Sequence, residues 1–297
     1  MPSSTSSSSA DARPTVSVVI GSNAPPEALE ACLAALEPQR DGVEVLVYEG
    51  RTSPPALRER FPWARFAERP GALVPELWRD GIDASAGDIV ALTIAPMVPA
   101  PDWLLTIRDQ HRRYDAVAGA IDPGQRLRLV DWAEYFCRYA RDMRPFEGHD
   151  CGELPGDNAA YKRELLDRTR ELYRDGFWEP EVNRRLHEEN VVLWHAPEVV
   201  VEQGRSAGWG AFVHQRLEHG RAFGRQRGGR FGTGRMVLGI AAAPLVPLLM
   251  TMRIFREVAA RRRYRLRAVG VLPLILSFNI AWAVGEARGQ LDILRAR

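Results

Sequence analysis

The chain alternates short, unbroken apolar runs with longer stretches in which apolar residues recur every three or four positions. Thr15–Ile20 (TVSVVI) and Val43–Tyr48 (VEVLVY) are β-branched runs bounded by turn residues, and each predicts a buried strand. Between them Pro25-Pro26 opens a helix reaching about Glu37, with Leu29, Cys32, Leu33 and Leu36 on one apolar stripe. Strand, helix and strand make a βαβ unit with a right-handed crossover. Arg65–Glu68 predicts a short third strand, and Gly71–Ala84 a helix buried through Leu73, Leu77, Trp78 and Ile82. The chain is organised around Gly87–Leu104 (GDIVALTIAPMVPAPDWL). It reads as a buried strand over Ile89–Thr93, a Pro-rich loop, and a helix from Asp102 to about Arg113. Open α/β sheets bind ligands beyond the carboxyl ends of their strands, which puts Ile94–Met97 where chemistry is expected.

Downstream, Asp115–Ile121 predicts a strand and Leu127–Met143 a helix with a broad aromatic side (Trp132, Tyr135, Phe136, Tyr139). Leu154–Tyr161 reads as a turn followed by a helix. Phe177–His187 contains a helix start, and Val191–Val201 gives one or two strands broken at Pro197. Ser206–Arg227 is a basic, aromatic helix ending in a Gly/Arg loop. Two apolar stretches follow: Met236–Met252 is uncharged for 17 residues and Ala268–Gly285 for 18. Each sits at the lower edge of a spanning length of about 17–25 residues. The segment between them, RIFREVAARRRYRLR, carries seven arginines. A spanning hairpin would send those arginines across the bilayer, against the positive-inside rule. An in-plane or re-entrant pair would instead set them against anionic lipid, at roughly 1 kcal/mol each. A helical pair packed on a partner protein is the other reading. The pattern thus divides the chain into a disordered tail (1–13), an α/β domain (14–230) and a membrane-associated helical hairpin (231–297).

Composition narrows the function classes. With 45% hydrophobic and 26% charged residues over 297 positions, the chain can build a full core. A net charge of +2 gives no reason to expect a polyanionic partner. The arginine clusters border apolar segments and lack aromatic interleaving, so no nucleic-acid partner is expected. Cys32, Cys137 and Cys151 have no metal-ligand spacing, which fits buried thiols in a reducing compartment. The opening MPSSTSSSSADA lacks the basic start and apolar run of a signal peptide. The expected location is the cytoplasmic face of the cell membrane.

Several segments share one frame. Gly87-Asp88-Ile89-Val90 opens a strand that leads to Pro99-x-Pro101-x-Trp103-Leu104. Arg79-Asp80-Gly81-Ile82, Leu154–Tyr161 and Phe177–His187 occur around it in order, and Gln215-Arg216 with His219-Gly220-Arg221 follows. From Thr15 to Arg227 this order and spacing resembles the family-2 glycosyltransferases. The resemblance implies a GT-A fold, a Rossmann-like mixed α/β sheet flanked by helices, with a C-terminal apolar helical pair like the membrane-docking tail of many members. It also implies a nucleotide-sugar donor and a lipid-linked or cell-envelope glycan acceptor.

By that resemblance Ser22, Asn23 and Glu49, at the ends of the first two strands, match the nucleotide pocket; Ser, Asn and Gly serve equally well as ordinary turn chemistry. Asp157 and Asn158 fall on the acceptor-side turn. Glu179 falls on the first acid of the Glu-Asp pair that supplies the base, with Pro180 in place of the second acid and Glu181 as the neighbouring alternative. A helix starting at Pro180 would equally make Glu179 a first-turn acid. At one point the frame departs from the family: Ile94-Ala95-Pro96-Met97 stands where Asp-x-Asp belongs. No metal ligand or cofactor is therefore assigned, and Mg²⁺ or Mn²⁺ is not expected. Arginine can fork onto a diphosphate instead, and Arg79, Arg221, Arg225 and Arg227 are candidates by type. Two functions follow: a transferase, or a catalytically inactive GT-A module that acts as a binding or scaffold partner at the membrane.

Overall fold

The computed structural model describes residues 15–297 apart from 126, 206, 207 and 231. The Ser-rich tail and the expected helix start at Ser206 lie outside the described residues. The first half runs β1 (Val16–Ser22), α1 (Pro26–Leu36), β2 (Val43–Glu49), α2 (Pro55–Arg60), β3 (Arg65–Glu68), α3 (Val74–Ala84), β4 (Ile89–Ile94), β5 (Met97–Pro99) and α4 (Trp103–Gln110). The second runs β6 (Ala116–Pro123), α5 (Leu129–Tyr139), β7 (His149–Asp150), β8 (Asn158–Lys162), α6 (Arg163–Thr169), α7 (Glu179–Glu188), β9 (Leu193–Gln203) and α8 (Trp209–Arg230). The tail comprises α9 (Thr233–Ala242), α10 (Val246–Arg261), α11 (Arg265–Gly270) and α12 (Leu272–Ala296).

One mixed sheet has the order β3-β2-β1-β4-β8-β6-β9-β5, with β7 paired to β9. β1 lies parallel between β2 and β4, and every residue of β1 and β4 is buried. Coverage on both faces explains why these strands read as unbroken apolar runs. β8 is the element the sequence hides. It enters antiparallel between β4 and β6, where a turn leading into a helix is expected. Its core is Ala159-Ala160, small enough to fit between two strands but without the β-branched signature of one. The expected break at Pro197 is a bulge: β9 stays one strand, and its pairing with β6 jumps from Gly119↔Ala196 to Ala120↔Val200. Asn158 closes that bulge. Its Nδ2 donates to the carbonyls of Ala120 (3.0 Å) and Val199 (2.9 Å), and its Oδ1 accepts from Trp103 Nε1 at 2.8 Å.

The C-terminal helices pack on the α/β body. α12 lies along α8 with glycines on both sides of the contact: Gly220 and Gly224 on α8, Gly285 and Gly289 on α12. A Cβ at Gly224 would sit 2.2 Å from the Glu286 carbonyl oxygen, and one at Gly289 would sit 2.1 Å from that of Arg221. The backbones touch directly, an approach that only small residues at four-residue spacing permit. Asp292 holds Arg221 (2.7 Å) and Arg225 (2.8 Å), and Glu286 holds Arg227 (2.6 Å), so these arginines staple the pair. Phe212 and Phe278 meet edge to face at 4.6 Å. The apolar stretch from Ala268 turns much of its surface inward, with Val271, Ile275 and Phe278 buried. Arg261 and Arg263 also face the body: Arg261 Nη2 donates to the Arg141 carbonyl (2.8 Å), and Arg263 Nη1 lies 3.3 Å from Asp122.

α9 and α10 behave differently. Thr233–Arg261, 29 residues containing an 18-residue stretch of mean hydropathy 1.8, is among the described residues the one helical run long and apolar enough to cross a membrane. Leu238, Leu245, Leu248, Leu249 and Met252 stand exposed along it.

The glycine contact generates a two-sided prediction. Gly224→Ala collides with backbone and should cost about 1–3 kcal/mol, the usual penalty of overpacking. Gly229, on the same helix, has nothing within 4 Å of a built Cβ. Gly229→Ala should therefore stabilise by about 0.5–1 kcal/mol through helix propensity. Thermal melts of the two variants should shift in opposite directions.

Candidate active site

β1 and β4 end side by side, and α3 begins next to them at Val74. α8 crosses above these ends, and a cavity of about 290 Å³ lies between. Gly21, Asn23 and Ala24 form its floor with Ile94 and Pro96, Leu73 and Val74 form one side, and Phe212, His214, Gln215, Glu218 and His219 of α8 form the roof. This is the crevice beyond the strand ends where open α/β sheets bind ligands. Glu134 and Arg138 of α5 close the remaining wall.

Arg138 also lines a second cavity of about 410 Å³, bounded by α5, the turn before β8, the first turn of α7, Arg216 of α8 and residues of α10. Among the described residues Arg138 is the one cation lining both. Its guanidinium is 2.6 Å from Asp157 and 3.7 Å from Glu134. The Tyr139 hydroxyl donates to the same Asp157 carboxylate. Glu179 enters the second cavity from the first turn of α7, with its carboxyl against Gly156. Desolvation, reinforced by the nearby Asp157 charge, lifts this carboxyl from 4.5 to about 7, against the pull of backbone N–H groups and Arg138. Burial likewise raises Asp142 to about 6 and lowers His219 to about 4, so His219 is neutral near pH 7. A carboxyl poised near neutrality in a cleft can take and return a proton.

The candidate residues from the sequence fall in different places. Glu179 and Asp157 come together in the larger cavity, and Asn23 lines the smaller one. Asn158, beside Asp157, has its amide fully engaged at the β6/β9 bulge. Glu181 accepts a hydrogen bond from Gln226 Nε2 at 2.9 Å, tying α7 to α8. Ser22 is buried, and its carbonyl accepts from the Gly50 N–H at 3.0 Å. Glu49 is buried at the end of β2, accepting from Ser53 N (3.0 Å) and Arg58 Nη2 (2.8 Å). Arg79 bonds Asp80 and the Arg174 carbonyl and lines a separate cavity beside Asp83 and Arg170. Arg221, Arg225 and Arg227 are engaged with α12.

At the end of β4, Ile94, Ala95 and Pro96 offer no carboxylate. Among the described residues no group of three or more His, Cys, Asp or Glu could hold a metal ion. The residues at this point do not fit a divalent cation.

Sequence reasoning missed Glu134 and Arg138, and it placed Arg216 and His219 in the frame without giving either a role. The first two were legible as an acid and an arginine four residues apart on an otherwise aromatic helix face, an expensive place for charge. Arg216 and His219 sit on a helix whose basic character hides which positions turn inward.

The sequence matches no protein-family model and no curated protein. Among solved structures the chain is similar to the mannosyltransferase PcManGT from Pyrobaculum calidifontis, solved in complex with GDP-Man and Mn²⁺. The two are 19% identical, the match covers 93% of this chain and 87% of that one, and the TM-score is 0.53. The chain therefore has a glycosyltransferase-type α/β fold.

Proposed function

We propose that the chain is a membrane-associated glycosyltransferase that moves a sugar from a nucleotide-sugar donor to a lipid-linked or cell-envelope glycan acceptor. One observation carries the reading: the cavity beyond the strand ends and the cavity holding Glu179 share Arg138 as a common wall. Donor in the first and acceptor in the second would bring the anomeric carbon and the attacking hydroxyl together at that wall. The acceptor oxygen forms the new bond to the anomeric carbon as the bond to the nucleotide diphosphate breaks. The diphosphate leaves with the electron pair, and the acceptor proton passes to Glu179. Arg138 faces the charge that develops on the leaving group. Asn23 is the donor-side contact. The neighbour's GDP-Man supports a nucleotide-sugar partner. Leu245 just before α10, with Leu248, Leu249 and Met252 exposed on α10 and arginines on either side, would seat the protein in the plane of the cytoplasmic leaflet.

Ile94 and Pro96 in the first cavity favour a second reading, a non-catalytic GT-A module that binds a nucleotide or scaffolds a partner at the membrane. The two readings diverge in one experiment. Melts of the solubilised protein against nucleotide sugars should show stabilisation of about 2.7 kcal/mol at 100 times the dissociation constant. Ala24→Trp, which fills the donor cavity, should remove that shift. Radiolabelled transfer to a membrane extract then marks the enzyme, and stabilisation without product marks the binding module.

Glu179→Gln should lower transfer on the order of 10²–10⁴-fold while leaving the nucleotide-sugar shift in place. Wild-type transfer should rise with pH through about 7, as Glu179 becomes the carboxylate that accepts the proton. Stability moves the other way. A carboxyl whose folded value exceeds its unfolded one contributes fully below about 4.5 and loses that contribution as pH rises through about 7. At pH ~8 the Gln variant should thus melt no lower than wild type. A lower melt would place Glu179 in a structural role.

A further inference from the structure

The larger cavity contains a charge without a counter-charge. Arg216 projects from α8 into its wall and is only 9% exposed. Nε and Nη2 of its guanidinium are buried and have no hydrogen-bond partner. Trp282 covers one face, with the guanidinium carbon 4.3 Å from the ring centroid. Stacking of this kind satisfies the face of a guanidinium and leaves its edge, where the N–H groups point, without a partner.

The neighbouring acids are already engaged. Asp157 and Glu134 pair with Arg138, Asp142 and Glu153 pair with Arg141, and Glu257 pairs with Arg256. Burial holds Glu179 toward its neutral form. Two cations of the cavity remain without an ion pair among the described residues: Arg216 inside, and the exposed Arg253 on α10 at the rim. Desolvation makes the Arg216 charge costly in the free protein, lowering its guanidinium to about 10. A buried, unpaired cation with free donors is the half-site of an anion complex.

The cavity also adjoins a surface that can hold an apolar chain. Met250 and Ile254 of α10 line its wall, and Leu248, Leu249 and Met252 of the same helix are exposed. We propose that this cavity binds the phosphate of an amphiphile, held by Arg216 with Arg253 at the rim, while the lipid chain lies along the exposed ridge of α10. This deepens the acceptor side of the proposed function, and it rests on that reading only for the claim that the bound lipid is a substrate.

The test uses the full chain and dihexanoyl phosphatidic acid below its micelle concentration, titrated by calorimetry beside dihexanoylglycerol and inorganic phosphate. Wild type should bind the phosphatidic acid and not the phosphate-free lipid. Arg216→Met should weaken binding at least tenfold, Arg216→Lys should restore part of it, and Arg253→Gln, at an exposed position, should weaken it several-fold. Without ligand, Arg216→Met should melt no lower than wild type, because it removes an uncompensated charge. Undiminished binding to Arg216→Met, no binding to wild type, or a ligand-free melt that falls together with binding would overturn the site. Inorganic phosphate binding as tightly as the lipid would overturn the lipid as its source. Absence of sugar transfer with this binding intact would count against the enzyme reading alone.

Discussion

The direct backbone contact between α8 and α12 is the constraint on which the rest depends. α8 supplies the roof of the cavity beyond the strand ends and sends Arg216 into the larger cavity. α12 holds α8 there through Gly220, Gly224, Gly285 and Gly289, with Asp292 and Glu286 clasping its arginines. α12 is joined in turn to α10 by the hydrogen bond from Asn279 Nδ2 to Thr251 Oγ1 at 3.0 Å. α8 therefore lines both cavities and α10 the larger one, while one side of α10 stays apolar and open. An exposed apolar surface and a wall of the candidate site are two sides of one helix.

Burial of charge is the second organising feature. The core of the candidate site is a run of ionisable groups that cost free energy to desolvate, and each settles that cost differently. Asp157 is held by Arg138 and the Tyr139 hydroxyl. Glu179 and Asp142 shift toward their neutral forms, and His219 stays neutral. Arg216 has no such settlement within the described residues. A buried guanidinium with unpartnered donors, in the same cleft as carboxyls shifted by burial, marks a candidate binding site.

The α/β half was legible because buried parallel strands write their position into the sequence as β-branched runs. β1, β2 and β4 fall where those runs predict, and β3 (RFAE), a partly exposed edge strand, carries no such run. β8 escaped because two alanines fit between neighbours without leaving a pattern. The stretch Ala268–Gly285 reads as an apolar span because periodicity does not separate a face turned to lipid from one turned to protein; the four-residue glycine spacing on both helices carried that information. In the site, Glu179 could be found from its frame, since a first-turn acid after Trp178 leaves a local signature. Arg216 lay in the same frame, but its role was not legible, because its importance lies in what fails to face it.

The most direct test of the account is hydrogen–deuterium exchange of the full chain with and without the nucleotide sugar that raises its melting temperature most. Protection is predicted in three separate segments at once: residues 21–24 after β1, residues 73–74 at the start of α3, and residues 211–219 of α8. Protection confined to any one of them, or falling around Arg79 and Arg170 instead, would contradict a donor site between the strand ends and the roof that α12 holds in place.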